Sequence, residues 1–234
     1  WRDWSSDVCS SDLAHRGFSG KYPEGSRTAY LKAAEIGADG VECDVRMTKD
    51  GVLVCFHDAT TERITGKEGR VSRLTLAELQ QRYELVTLDE LLDLVIEKKL
   101  DLLIETKHPV LAGRRVEKEV LRIVNQRQEE IHSSGIRVII FTFSFWAARY
   151  IAKRYSDAGY IVKKRWRIRF APTKVIAVGY WLLREKPELS ERLKNFELFM
   201  WTLNSREDIE LARSAGASGA ITNFPDLARE VLGR

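Results

Sequence analysis

Short apolar runs alternate with longer stretches of helical period along most of this chain, and each apolar run ends where a polar loop begins. Strands are expected at Gly40–Asp44, Leu100–Glu105, Arg137–Phe143, Tyr160–Val162, Lys174–Val178, Leu198–Thr202 and Gly219–Thr222. Between them, helices are expected over Ser26–Ile36, Thr75–Gln81, Leu88–Lys98, Ala112–Ser133, Trp146–Arg154, Pro187–Asn195, Arg206–Ala215 and Asp226–Leu232. Ser26 can cap the first helix and Gly37 can stop it. With one more strand leading into His15, the strands number eight. The Asp50-Gly51 pair predicts a tight hairpin turn into Val52–His57, and the polar, Gly-punctuated stretch 58–74 reads as a loop able to overhang a pocket. Eight strand–helix repeats in 234 residues fit a single-domain α/β protein. The expected fold is a TIM-type (β/α)8 barrel with a hairpin and loop inserted after the second strand.

Residues 1–12 break the pattern. Rich in Ser, Asp and Trp, they lack the apolar run a first strand needs, and they resemble translated adapter sequence. This tail is therefore read as atypical, with the expectation that a native first strand has been lost or replaced. The barrel is assigned to 13–234.

Composition narrows the function only a little. Against 38 basic residues stand 34 acidic ones, a net charge of +4, which argues for no nucleic-acid partner while remaining compatible with a small anionic substrate. Three cysteines cannot all pair within one chain, and Cys43 and Cys55 fall inside predicted strands as small apolar residues. With no signal peptide or transmembrane segment visible, a cytoplasmic location is expected. Oligomeric state is left open.

The chemistry concentrates at strand ends. In Val41-Glu42-Cys43-Asp44-Val45 the two acids alternate with apolar residues, so Glu42 and Asp44 point the same way. Carboxylates held about 4 Å apart repel by about 4 kcal/mol at an effective dielectric of 20, and a divalent cation or a shared proton relieves this. His15-Arg16-Gly17, His57-Asp58 and Glu105-Thr106-Lys107 also stand where apolar runs give way to loops. In a parallel barrel such positions share one rim. In the strand to Glu105, Leu103 shares its face while Leu102 and Ile104 pack outward. A lone histidine beside Arg-Gly would ordinarily be a turn residue; a second one at another strand end changes that reading. Asp58 is better suited to orient His57 than to bind metal. His108 and His132 read as surface or packing residues.

These motifs, in this order, resemble those of the glycerophosphodiester phosphodiesterase family: His15-Arg16-Gly17, Pro23-Glu24, the stretch 37–45, Thr48-Lys49-Asp50-Gly51, His57-Asp58, Glu105-Thr106-Lys107, Ser144-Phe145, Trp201-Thr202-Leu203-Asn204 and 219–223. The resemblance implies hydrolysis of glycerophosphodiesters to glycerol 3-phosphate and an alcohol, with a divalent metal, Mg2+ or Ca2+. It assigns Glu42, Asp44 and Glu105 to the metal, His15 and His57 to acid/base catalysis, and Arg16 and Lys107 to the phosphate. Trp201 is weighed evenly between barrel core and a substrate-binding role lining the glycerol pocket. Three hard oxygen donors suit such a cation, and two imidazoles suit a reaction that deprotonates one oxygen and protonates another. Either order of histidine roles is open, as is the choice between water and the substrate's own hydroxyl as nucleophile.

The chain departs from the family pattern at Gly25-Ser26, which replaces Asn-Thr after Pro-Glu, and at Asn223, where an acid is common. Segment 163–170, Lys-Lys-Arg-Trp-Arg-Ile-Arg-Phe, is also unusual. It reads as a solvated loop, with weak peripheral membrane contact as the alternative. Rival functions are a lysophospholipase D-like or phospholipase C-like activity on lipids, and a degenerate barrel that only binds. The retained acid and imidazole cluster argues against the last.

Overall fold

The structure is a computed structural model that describes residues 11–107 and 113–234. Its strands are β1 (Ser11–His15), β2 (Gly40–Met47), β3 (Leu53–Cys55), β4 (Asp101–Thr106), β5 (Val138–Thr142), β6 (Ala158–Val162), β7 (Val175–Gly179), β8 (Glu197–Trp201) and β9 (Gly219–Thr222). Eight of them run parallel in the order β1-β9-β8-β7-β6-β5-β4-β2, and pairing of β1 with β2 closes the barrel. β3 lies antiparallel against β2, as the Asp-Gly turn foretold. Cys9, His108 and the first residue of the expected helix 112–133 lie outside the described residues.

Alternation along the strands sorts the core into two layers. Leu13, Leu103, Ile139, Phe141, Phe199 and Ile221 pack inside the barrel, while Val41, Cys43, Val45, Leu102 and Ile104 face the surrounding helices. Gly219 is required by this packing, since a Cβ there would stand 2.7 Å from the Phe199 ring. Cys43 and Cys55 are buried free thiols. No helix among the described residues is long and apolar enough to cross a membrane.

Several expectations need correction. The stretch 58–74 is not a bare loop: it holds a helical turn at Glu62–Thr65 and a 3-10 turn at Val71–Arg73. The helix expected over 112–133 is two, Arg115–Gln126 and Gln128–Ser134, separated where Arg127 leaves helical geometry at φ −103° and ψ 13°. Its guanidinium there pairs with Asp93 and Glu130, both at 2.7 Å. The basic segment folds as a 3-10 helix, Arg165–Phe170. β1 forms from Ser11 onward despite its composition, because backbone pairing to β2 and β9 depends little on side chains. Ser26 caps its helix as expected, its Oγ accepting from the Ala29 N–H at 3.0 Å.

Candidate active site

Strand register assembles the acids. In parallel pairing His15 lies opposite Glu42, and Asp44 lies opposite Glu105, so β1, β2 and β4 deliver four ionisable groups to one end of the barrel. One oxygen from each of Glu42, Asp44 and Glu105 lies within 4.8 Å of the others, and all three side chains are buried.

Two cations enter this cluster. Arg16 adopts a left-handed backbone, φ 57°, an uncommon conformation for a side-chain-bearing residue. That turn lets its N–H donate to the Glu42 carbonyl at 2.9 Å, while its Nε reaches Asp44 Oδ2 at 2.8 Å. Gly17 continues the left-handed turn at φ 76°, pressed so closely on the first helix that a Cβ would meet Ala29 at 2.6 Å. Lys107 Nζ bridges Asp44 Oδ1 at 2.8 Å and Glu105 Oε1 at 2.5 Å.

The electrostatics are uneven. Burial and the neighbouring Asp44 push the Glu42 carboxyl well above its ordinary range, and the same two causes lift Glu105 to about 7. Burial would raise Asp44 too, but Lys107 and Arg16 override it and hold that carboxyl at about 2. Both cations touch Asp44, Lys107 also reaches Glu105, and Glu42 receives only the Arg16 N–H. Three acids against two cations leave room for more positive charge, and three oxygen donors at this spacing fit a hard divalent cation.

The histidines flank the cluster and are held differently. His15 Nδ1 lies 2.7 Å from Asn223 Oδ1, and with that amide oxygen as acceptor Nδ1 carries the proton, leaving Nε2 bare at 3.8 Å from Glu42. Asn223 is fixed in turn by its N–H donating to Asn204 Oδ1 at 3.0 Å. His57 Nδ1 instead meets a carboxylate, Asp58 Oδ1, at 2.7 Å. Burial, reinforced by Arg16, lowers His15 to about 4, and burial lowers His57 as well.

Beyond Asp58 a chain of ion pairs returns to the acids. Arg63 Nε reaches Asp58 at 2.5 Å, its Nη2 reaches Glu24 at 2.7 Å, and Glu24 meets Arg16 at 3.0 Å. The helical turn in the supposed loop therefore supplies a cation that links the support of His57 to Glu24 and, through it, to Arg16. Glu24 is firmly placed despite Gly25-Ser26, since the Tyr83 hydroxyl also donates to its carbonyl at 2.7 Å.

All eight residues nominated from the sequence gather at this mouth. His15, His57, Arg16, Lys107, Glu42, Glu105 and Trp201 line one cavity of about 120 Å³, with Asp44 beneath Arg16 and Lys107. Its floor is apolar, formed by Leu103, Phe141, Ile161, Ala177 and Ile221. Trp201 stands on the wall with its ring edge-to-face against Phe143 at 5.8 Å and Trp181 at 5.0 Å. Sequence reasoning left Asn223, Arg63, Phe143 and Lys163 unassigned; for Asn223 the signal was its place at the end of the last strand.

Fold and mouth together define a class: a (β/α)8 barrel with a cluster of three acids, able to hold a cation, between two imidazoles. The Glycerophosphoryl diester phosphodiesterase family matches residues 15–227. The chain belongs to that family of phosphoric diester hydrolases and is an enzyme. It is similar to the glycerophosphodiester phosphodiesterase of Caldanaerobacter subterraneus subsp. tengcongensis, with 30% identity over 92% of this chain and 94% of the relative. The crystal structure of a glycerophosphodiester phosphodiesterase from Thermotoga maritima matches with TM-score 0.77 and 27% identity, covering 95% of this chain and 97% of that one. The fold is also that of an Oleispira antarctica phosphodiesterase solved with the product sn-glycerol-3-phosphate, at TM-score 0.82 and 19% identity over 97% and 98% of the two chains.

Proposed function

We propose that this enzyme hydrolyses glycerophosphodiesters to glycerol 3-phosphate and an alcohol, using a divalent cation, Mg2+ or Ca2+, held by Glu42, Asp44 and Glu105. Charge balance within the acid cluster itself carries this reading. Three carboxylates contribute −3, Arg16 and Lys107 contribute +2, and a divalent ion leaves a net +1 for a diester phosphate of −1. When bound, such an ion draws off charge developing on a nonbridging phosphate oxygen. Arg16 and Lys107, already turned into the cluster, hold the same phosphate from the protein side.

Proton transfer falls to the imidazoles. His15, supported by a neutral amide, is suited to take the proton of the attacking O–H at Nε2. His57, whose Nδ1 is held by the Asp58 carboxylate that offsets part of the effect of burial, is suited to protonate the departing alkoxide. Water and the substrate's neighbouring glycerol hydroxyl both present an O–H to the same base. Each proton transfer is worth about 10²- to 10⁴-fold.

The test is direct. Purified protein incubated with glycerophosphocholine and glycerophosphoethanolamine should release glycerol 3-phosphate, lose that activity in EDTA, and regain it with added Mg2+ or Ca2+. Release unaffected by EDTA would remove the metal from the proposal, and no release with either ion would remove the activity.

One observation favours action close to a lipid surface. Trp146, Trp166 and Phe170 are 64%, 58% and 58% exposed, and all follow strands β5 and β6 on the rim that carries the site. Together with Arg165, Arg167 and Arg169 they suit weak contact with anionic membrane, where lysophospholipids would be the substrates. Cosedimentation with anionic vesicles that falls on replacing Trp166 and Phe170 by Ala would support this; equal partitioning of both proteins into the supernatant would dismiss it.

A further inference from the structure

Lys163 follows the last residue of β6 and begins the basic segment, yet it lines the catalytic cavity. Its ammonium lies 4.4 Å from the centroid of the Phe143 ring and 5.7 Å from that of Trp201. Those two rings meet edge-to-face at 5.8 Å, making an aromatic corner of the kind that receives alkylammonium groups. The corner is thus filled by a cation of the protein's own.

Position ties this corner to the reacting phosphate. Lys107, which bridges Asp44 and Glu105, stands 5.9 Å from the same Phe143 ring. One ring therefore separates the ammonium at the acid cluster from the ammonium at the aromatic wall. Lys163 shares one cavity with Glu42, Glu105 and Lys107, so a diester whose phosphate lay at the cluster would have Lys163 on the wall beside its alcohol groups. Among the described residues Lys163 has ring contacts and no carboxylate partner, so its charge is open to a substrate oxygen.

We propose that Lys163, Phe143 and Trp201 form the subsite for the departing alcohol, and that Lys163 selects uncharged or anionic hydroxyl-rich alcohols over those bearing a quaternary ammonium. The inference rests on the proposed phosphodiesterase reading. Two forces act in the same direction. Hydroxyl and anionic oxygens accept hydrogen bonds from the ammonium, whereas a trimethylammonium group is repelled by it and finds its aromatic contact already taken.

The experiment compares kcat/KM for glycerophosphoglycerol and glycerophosphocholine in the wild-type enzyme, Lys163→Gln and Lys163→Arg. Wild type should favour glycerophosphoglycerol. Lys163→Gln should raise the choline-to-glycerol ratio at least tenfold, mainly through KM, and Lys163→Arg should keep the wild-type preference. A ratio moving less than twofold in Lys163→Gln, or an equal fall with both substrates, overturns the subsite while leaving the hydrolysis intact. A wild-type enzyme that cleaves neither diester overturns the parent reading, and the subsite with it.

Discussion

Replacing His57 by Ala should remove protonation of the departing alkoxide and nothing else. With glycerophosphocholine the expected loss is about 10²- to 10⁴-fold in kcat. Asp58→Asn is a gentler perturbation of the same step. It replaces a carboxylate 2.7 Å from Nδ1 with a neutral amide, and a charge-assisted hydrogen bond of this kind contributes about 1.5–3 kcal/mol. Because the two side chains are 34% and 24% exposed, solvent screening reduces this to about 1–2 kcal/mol, or roughly 5- to 30-fold in rate. The discriminating assay repeats both measurements with the p-nitrophenyl diester of glycerol phosphate. A nitrophenolate departs without a proton, so both variants should recover most of wild-type turnover on it, whereas His15→Ala should remain at least about a hundredfold impaired on both substrates. Thermal melting of each variant checks the fold. Equal losses of His57→Ala on both diesters would refute its role as the acid, and recovery by His15→Ala in its place would exchange the two roles.

Two further outcomes follow from buried acids. Glu105→Gln should weaken Ca2+ or Mg2+ binding by at least about tenfold in calorimetric titration, since it removes one of three charged donors; unchanged affinity would place the ion elsewhere. At the opposite end of the barrel Asp12 is fully buried, 3.2 Å from Arg229, and burial together with Asp39 raises its carboxyl to about 8. The folded protein then holds a proton that the unfolded chain releases above pH 3.8, so stability should fall as pH rises from about 4 to about 8. We expect Asp12→Asn to flatten that slope and to stabilise by about 1–3 kcal/mol near pH 8, or very roughly 2–12 °C in melting temperature. Denaturation at pH 5 and pH 8 decides it: an unchanged slope in the variant would acquit Asp12. The same result bears on residues 1–12, whose atypical composition puts a carboxylate where a first strand ordinarily carries an apolar residue.

Much of the site was legible because strands have a period of two. Glu42 and Asp44 had to share a face, and Leu103 with Glu105 had to share another, whatever the rest of the chain did. Strand-end placement of His15 and His57 was equally local, since an apolar run giving way to a polar loop marks a rim position in a parallel barrel. Even the support of His57 by Asp58 lay within adjacent residues. Helix breaks were harder: nothing in Gln126-Arg127-Gln128 is a Gly or Pro, so periodicity alone ran through a division that ion pairing to Asp93 accompanies.

What the sequence by itself determined is therefore the set of faces: which acids align, which residues turn inward, and where each strand delivers its polar end. Tertiary structure decided the partners. His15 and Asn223 are 208 positions apart and meet because β9 pairs with β1; Arg63 joins Glu24 to Asp58 because a helical turn folds over the mouth. Lys163 is one more basic residue in a basic run until β5, β6 and β8 bring two rings beside it. Periodicity fixes direction along one strand, but contact across a closed sheet depends on register and order among strands, which no local pattern encodes.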